Sequence, residues 1–173
     1  YLGPEFTQNQ IEEELKSIGA IYEKVDYEKL INQTSEHLSN GKAIGWFQGR
    51  MEFGPRALGG RSILGDPRSE KMQKNLNLKV KYRESFRPFA PSILKEDLSS
   101  WFNLNVESPY MLLVAEIKSE KKIEMTEEQK QLFGIDKLNI KRSEIPAVTH
   151  VDYSARIQTV TQKNNKPYYD LIS

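Results

Sequence analysis

Apolar residues recur at helical spacing from the start of the chain. Ile11, Leu15 and Ile18 follow Thr7-Gln8-Asn9-Gln10, a string of capping-box form, and the period stops at Gly19. A second helix is predicted after Asp26, carrying Leu30, Ile31 and Leu38 and stopped by Gly41. Ala43-Ile44-Gly45-Trp46-Phe47 is a short apolar run and reads as a buried strand. No period survives from Gln48 to Arg68, where Gly and Arg are frequent, so an irregular segment is expected. Helical spacing returns from Ser69 to Leu78, with Ser69 as the cap and Met72 and Leu76 inward.

In the second half, Pro88 and Pro91 keep Phe89 to Leu94 extended. Leu98, Trp101 and Phe102 predict a short helix, and Met111 to Ile117 a strand. Ala147-Val148 and Arg156 to Thr161 read as strands flanking a turn at Asp152-Tyr153-Ser154. Residues 116–142 hold 13 charged residues, seven basic and six acidic, and are expected to form a mobile charged insertion with one short helix. Trp46, Phe47, Phe86, Phe89, Trp101 and Phe102 are the candidate core aromatics. Helices and strands mix without regular alternation, which predicts an α/β (α+β) fold with a mixed sheet and packed helices in a single domain.

The 173 residues suit one domain, and nothing approaches the roughly 20-residue apolar run of a membrane helix. The absence of cysteine excludes a disulfide scaffold, a thiolate metal site and a Cys nucleophile, and fits a reducing, cytoplasmic location. Only His37 and His150 are available for zinc or Ser-His-Asp chemistry. The chain opens on Tyr1 without a basic-then-apolar leader and ends where a helix is beginning, so it reads as a piece of a longer protein.

Net charge is +1, but the charges are unevenly placed. Residues 50–87 hold ten cationic side chains against four acidic ones, and six of the eight arginines. That asymmetry predicts a local anion site on a mildly acidic body.

Three segments carry candidate chemistry. In Gly49-Arg50-Met51-Glu52-Phe53-Gly54-Pro55-Arg56-Ala57-Leu58-Gly59-Gly60-Arg61-Ser62, glycines permit close backbone approach, and Arg56 and Arg61 could grip phosphate oxygens bidentately. A tight turn with solvated arginines is the plainer alternative. The spacing from Gly54 to Gly59 is that of a Walker loop, but Gly60 stands where its lysine must be. In the second segment, an extended Lys79-Val80-Lys81-Tyr82-Arg83 would place Lys79, Lys81 and Arg83 on one face, seeking either an anion or Glu84. In the third, His150 and Asp152 suggest an ordering hydrogen bond rather than a metal pair, and Arg156 is expected to be directed back toward the anion site. Glu52 is placed to orient an arginine or, less simply, to hold Mg²⁺.

Taken together, Gly49 to Gly59, Arg61-Ser62-Ile63, Asp66-Pro67-Arg68, Arg83-Glu84, Phe86-Arg87-Pro88-Phe89-Ala90-Pro91, His150-Val151-Asp152, Arg156 and Gln158-Thr159-Val160 resemble the C-terminal, YrdC-like domain of NodU-type O-carbamoyltransferases, which decorate nodulation factors and antibiotics. The likeness is collinear over most of residues 41–160. It differs where Gly60 replaces the usual Asn, and where an expected Asn- and Ser-containing string would lie beyond Ser173.

The resemblance implies a YrdC-like twisted mixed sheet, with residues 1–173 as a C-terminal carbamoyltransferase domain truncated near its end. It further implies binding of ATP, with Mg²⁺, and of carbamoyl phosphate, giving carbamoyl-adenylate and pyrophosphate. A preceding Kae1-like domain, which holds iron or another metal, would pass the carbamoyl group to an acceptor hydroxyl. Arg56, Lys81 and Arg87 match positions expected to contact the anionic substrates, Arg61 and Arg83 would support them, and Arg156 with His150 would close the other side. The rival is a nucleic-acid (tRNA or double-stranded RNA) binding module. Compact Arg/Gly clustering favours small phosphates over such an RNA platform, which would display exposed aromatics.

Overall fold

The computed structural model describes residues 1–173, and its first helices begin where capping side chains are available. Thr7 Oγ1 accepts from Gln10 N at 3.3 Å while Gln10 Oε1 accepts from Thr7 N at 2.9 Å, starting α1 (Gln8–Ser17). Asp26 accepts from Lys29 N at 2.8 Å and starts α2 (Tyr27–Ser39). Leu30, Ile31 and Leu38 of α2 pack on a core of Trp46, Val160, Tyr168 and Leu171.

The strand after α2 forms as expected but is not alone. β1 (Ile44–Phe47) pairs antiparallel with β2 (Arg61–Leu64), a strand inside the segment expected to be irregular. Phe47 lies opposite Arg61 in this pair. Only Trp46 of β1 is buried, and Phe47 is half exposed, because the ribbon has one covered face.

α3 (Met72–Lys79) buries Met72 and Leu76. Its cap position is Lys71, without a side-chain bond; Ser69 serves only through its carbonyl, which accepts from Met72 N at 3.2 Å. The expected strand over Lys79 to Arg83 does not form. Leu76 O accepts from both Val80 N and Lys81 N, and Tyr82 turns the chain at φ +49°, so alternate positions share no face.

The second sheet is mixed. β5 (Ser154–Val160) lies at its centre, parallel to β3 (Ser92–Leu94) and antiparallel to β4 (Leu113–Glu116). Beneath it, Phe102, Ile117, Ala155 and Ile157 are almost fully buried together with Leu98 of α4 (Leu98–Trp101). Each large side chain buried there stabilises the fold by about 1.5–3 kcal/mol. Ala147-Val148 is not a strand: Pro146 opens a 3₁₀ turn there, which packs on α3.

Between β4 and β5 the charged segment carries two short helices rather than one, α5 (Glu127–Gln131) and α6 (Ile135–Leu138). Its ends pair, Ile123 N donating to Arg142 O at 2.7 Å. The buried Arg142 guanidinium donates to the carbonyls of Lys137, Leu138 and Ile140, closing α6. α7 (Lys166–Ile172) packs on α2 and β3. The chain is thus a single mixed α/β domain with two small open sheets. No helix is long and apolar enough to cross a membrane.

Candidate functional site

A cavity of about 730 Å³ opens between α2, β2, α3, β5 and α7. Such a volume suits a nucleotide-sized ligand. Its apolar lining includes Leu64, Met72, Leu76, Phe89 and Val148. Cations enter from four segments: Arg56 from the Gly/Arg loop, Arg68 from the turn after β2, Lys81 and Arg83 from the turn after α3, and Arg156 from β5. One carboxylate, Asp66, faces these five.

The cations are not equally free. Arg68 Nε and Nη2 embrace Asp66, and their hydrogen bonds hold that carboxyl below its ordinary range despite partial burial. Arg83 Nε donates to Asn77 Oδ1 at 2.6 Å and its guanidinium lies 5.0 Å over the Phe89 ring. Arg56, Lys81 and Arg156 have no ion pair and no side-chain hydrogen bond to the protein. Three uncompensated cations on one concavity give it a positive potential that would favour a multiply charged anion.

Two expected site residues lie elsewhere. Arg87 pairs with Glu84 at 2.8 Å on the surface. Arg61 stacks 3.4 Å over Phe47 and donates to the carbonyls of Gln48, Gly49 and Gly60, so it clamps the Gly/Arg loop from outside the cavity. Lys79 ends α3 and does not line the cavity either.

Glu52 makes no contact with an arginine side chain. Its Oε1 accepts the backbone N–H groups of Leu58, Gly60 and Arg61, at 2.7, 2.6 and 3.2 Å. Burial opposes its charge, but these donors outweigh burial and hold the carboxyl below its usual range. The loop that carries Arg56 is therefore wrapped around one buried anion. Glycine is required at its end: Gly59 has φ +99°, and a Cβ there would meet Tyr168 Cδ1 at 2.2 Å.

Tyr168 belongs to a relay that composition does not announce. Its hydroxyl donates to Ser92 Oγ at 2.8 Å, Ser92 Oγ to Gln158 Oε1 at 3.0 Å, and Gln158 Nε2 to Leu58 O at 2.8 Å. Burial pushes the Tyr168 phenol up to about 12, so it remains a neutral donor. Asn77, fully buried, likewise donates to the carbonyls of Ser85 and Arg87 and shapes the turn that presents Lys81. Asparagine within a helix pattern gave the only sequence signal for that role.

His150 reaches the cavity at the end of a tight turn, with Nδ1 2.9 Å from Ser154 Oγ. Asp152 bonds Ser154 rather than His150 directly, accepting from its hydroxyl at 2.7 Å and its N–H at 3.1 Å. Burial lowers the His150 pKa, Asp152 opposes this, and Arg156 adds to it.

The sequence matches the family described as Carbamoyltransferase C-terminus over residues 35–173. This chain belongs to that family. Among relatives of the carbamoyltransferase C-terminus, an uncharacterized protein of Synechocystis sp. is 57% identical over 99% of this chain and 28% of its own length. The nodulation protein NolNO of Sinorhizobium fredii is 38% identical over 100% of the chain and 23% of its own length. The 3'-hydroxymethylcephem-O-carbamoyltransferase of Streptomyces clavuligerus is 39% identical over 80% of the chain and 22% of its own length. The chain thus spans roughly a quarter of these carbamoyltransferase-family relatives.

Proposed function

We propose that this chain is the activating part of an O-carbamoyltransferase, binding ATP and carbamoyl phosphate in the cavity. Water first cleaves carbamoyl phosphate to carbamate and phosphate. A carbamate oxygen then attacks the α-phosphorus of ATP, and pyrophosphate leaves as carbamoyl-adenylate forms. A Kae1-like, metal-holding domain of the same polypeptide would transfer the carbamoyl group to an acceptor hydroxyl.

The observation that carries this reading is the convergence of Arg56, Lys81 and Arg156, unpaired, on one cavity. Two anions must meet there. Unit charges about 4 Å apart repel by about 4 kcal/mol at an effective dielectric of 20. Fixed cations offset that repulsion and stabilise the departing pyrophosphate. The donor set fits phosphates. Magnesium would arrive on the phosphate oxygens of ATP, since the one lining carboxylate, Asp66, is already held by Arg68.

Calorimetric titration of ATP and carbamoyl phosphate tests the reading. Binding by the parent, weakened about tenfold or more in Arg56→Ala and Lys81→Ala, supports it; variants that bind as well as the parent refute the site.

One observation favours a second reading. Tyr82, between Lys81 and Arg83 in the chain, is 86% exposed, and Phe86, next to Arg87, is 38% exposed, so Phe86 is not the core residue its sequence context suggests. Bases could stack on these rings in a nucleic-acid module. Tight tRNA binding without nucleotide binding in the same titrations would promote it.

A further inference from the structure

The cavity is rich in donors and poor in acceptors. Arg and Lys side chains only donate. Among the stronger acceptors of the lining, the Asp66 oxygens are committed to Arg68 and Gln158 Oε1 to Ser92. A carbamoyl group presents one carbonyl oxygen that wants donors and an amino group that wants an acceptor. The isosteric acetyl group lacks that amino group.

The turn around His150 supplies such an acceptor by a chain of single choices. Asp152, ionised, can only accept, and it takes the one proton of the Ser154 hydroxyl. Ser154 Oγ is then left to accept, so His150 must protonate Nδ1 to make its 2.9 Å contact. Burial in the cavity wall and the nearby Arg156 disfavour a second proton on the ring. Nε2 is left bare, without a bond to the protein. The turn is fixed from outside as well: His150 N donates to Ser154 O, Tyr153 N to His150 O, and Ile117 N to Tyr153 O.

We infer that Ser154 and Asp152 are positioning residues that present His150 Nε2 as the acceptor for the carbamoyl amino group, making the site selective for carbamoyl phosphate over acetyl phosphate. The inference rests on the proposed function, and two readouts separate its failure from that of the parent reading.

The first readout needs no ligand. Nitrogen-15 NMR of the imidazoles in the intact protein, with His37 as internal reference, is expected to show His150 protonated at Nδ1. In Ser154→Ala, and in Asp152→Ala, where the freed serine proton can turn to Nδ1, the ring moves toward Nε2 protonation. Asp152 is exposed, so its variant folds even if the buried serine variant does not. An Nε2-protonated His150 in the parent, or no change in the Asp152 variant, overturns the inference.

The second readout is calorimetric. The parent should bind carbamoyl phosphate about tenfold or more tightly than acetyl phosphate. Asp152→Ala should lose that preference through weaker carbamoyl phosphate binding, with inorganic phosphate affinity unchanged. A preserved preference overturns the positioning role alone. A parent that binds no carbamoyl phosphate overturns the proposed function and this inference with it.

Discussion

Glu52 Oε1 lies 2.6 Å from the backbone nitrogen of Gly60 across a loop that contains no other buried charge. A Cβ on Gly60 would come within 2.8 Å of Arg50 O and 3.1 Å of that same oxygen, so the pair is as close as two residues can sit. The loop bearing Arg56 is therefore organised by an anion of its own before any ligand arrives.

Glu52→Gln should destabilise the fold by about 1–3 kcal/mol, because an amide nitrogen is forced among backbone donors or a charge-assisted set is lost. The parent carboxyl is held below its usual range in the folded state, so its contribution is complete above the unfolded carboxylate pKa. It is lost as pH falls through the lowered folded value. Denaturant titrations from about pH 3 to about pH 6 should show a shallower acid-side loss in the variant than in the parent.

Gly59→Ala combines a left-handed backbone with a clash against Tyr168. The expected loss is about 1–3 kcal/mol, read as a fall in thermal midpoint. ATP affinity should fall with it, because the Leu58 carbonyl that anchors Gln158 moves.

Arg61 and Arg87 should behave oppositely to their sequence setting. Arg61→Lys keeps the charge but loses the stack on Phe47 and the fork onto three carbonyls, and should cost about 1–2 kcal/mol of stability. Arg87→Ala removes an exposed pair with Glu84 and should change stability by less than about 1 kcal/mol and nucleotide affinity hardly at all. Equal losses of affinity in both would show that the cavity assignment is misdrawn.

Added salt should weaken ATP binding to the parent, since Arg56, Lys81 and Arg156 meet the ligand as unpaired charges. Arg156→Ala should bind more weakly and show a smaller dependence on salt, measured by repeating the titration across a salt series. An unchanged salt dependence would remove Arg156 from the site.

Features decided within a few residues were readable in the sequence. The Thr7–Gln10 box and the Asp26 cap need only their own turn, and both form. Pro88 and Pro91 act on their immediate neighbours and lead into β3. What failed depended on distant partners or on a competing local pattern. Arg61 to Leu64 looks like loop because it alternates weakly, yet β1 supplies its hydrogen bonds. Lys-Val-Lys-Tyr-Arg has strand periodicity, but it follows a helix end whose carbonyl at Leu76 captures the next two amides. Phe47 is apolar by composition and still half exposed, because the β1–β2 ribbon buries only the face that carries Trp46, and Arg61 stacks on the Phe47 ring from the other side.

The same unevenness holds at the cavity. Charge clustering pointed to Arg56, Lys81 and Arg83, and the segment after His150 to Arg156, and these do meet there with His150. It could not separate them from Arg61 and Arg87, because which carbonyl or carboxylate captures a guanidinium depends on the finished turn. Ser92, Asn77, Ser154 and Tyr168 carry no charge and gave no such signal.

The Leu58 carbonyl is held by Gln158, a hundred positions further along, and Gly59 rests on Tyr168 in α7. A nascent polypeptide therefore carries its basic loop exposed and unsupported until α7 has been made, and the cavity is completed only then. Any chain released before α7 is made would carry the cations without the cavity, an intermediate with its basic loop open to stray anions.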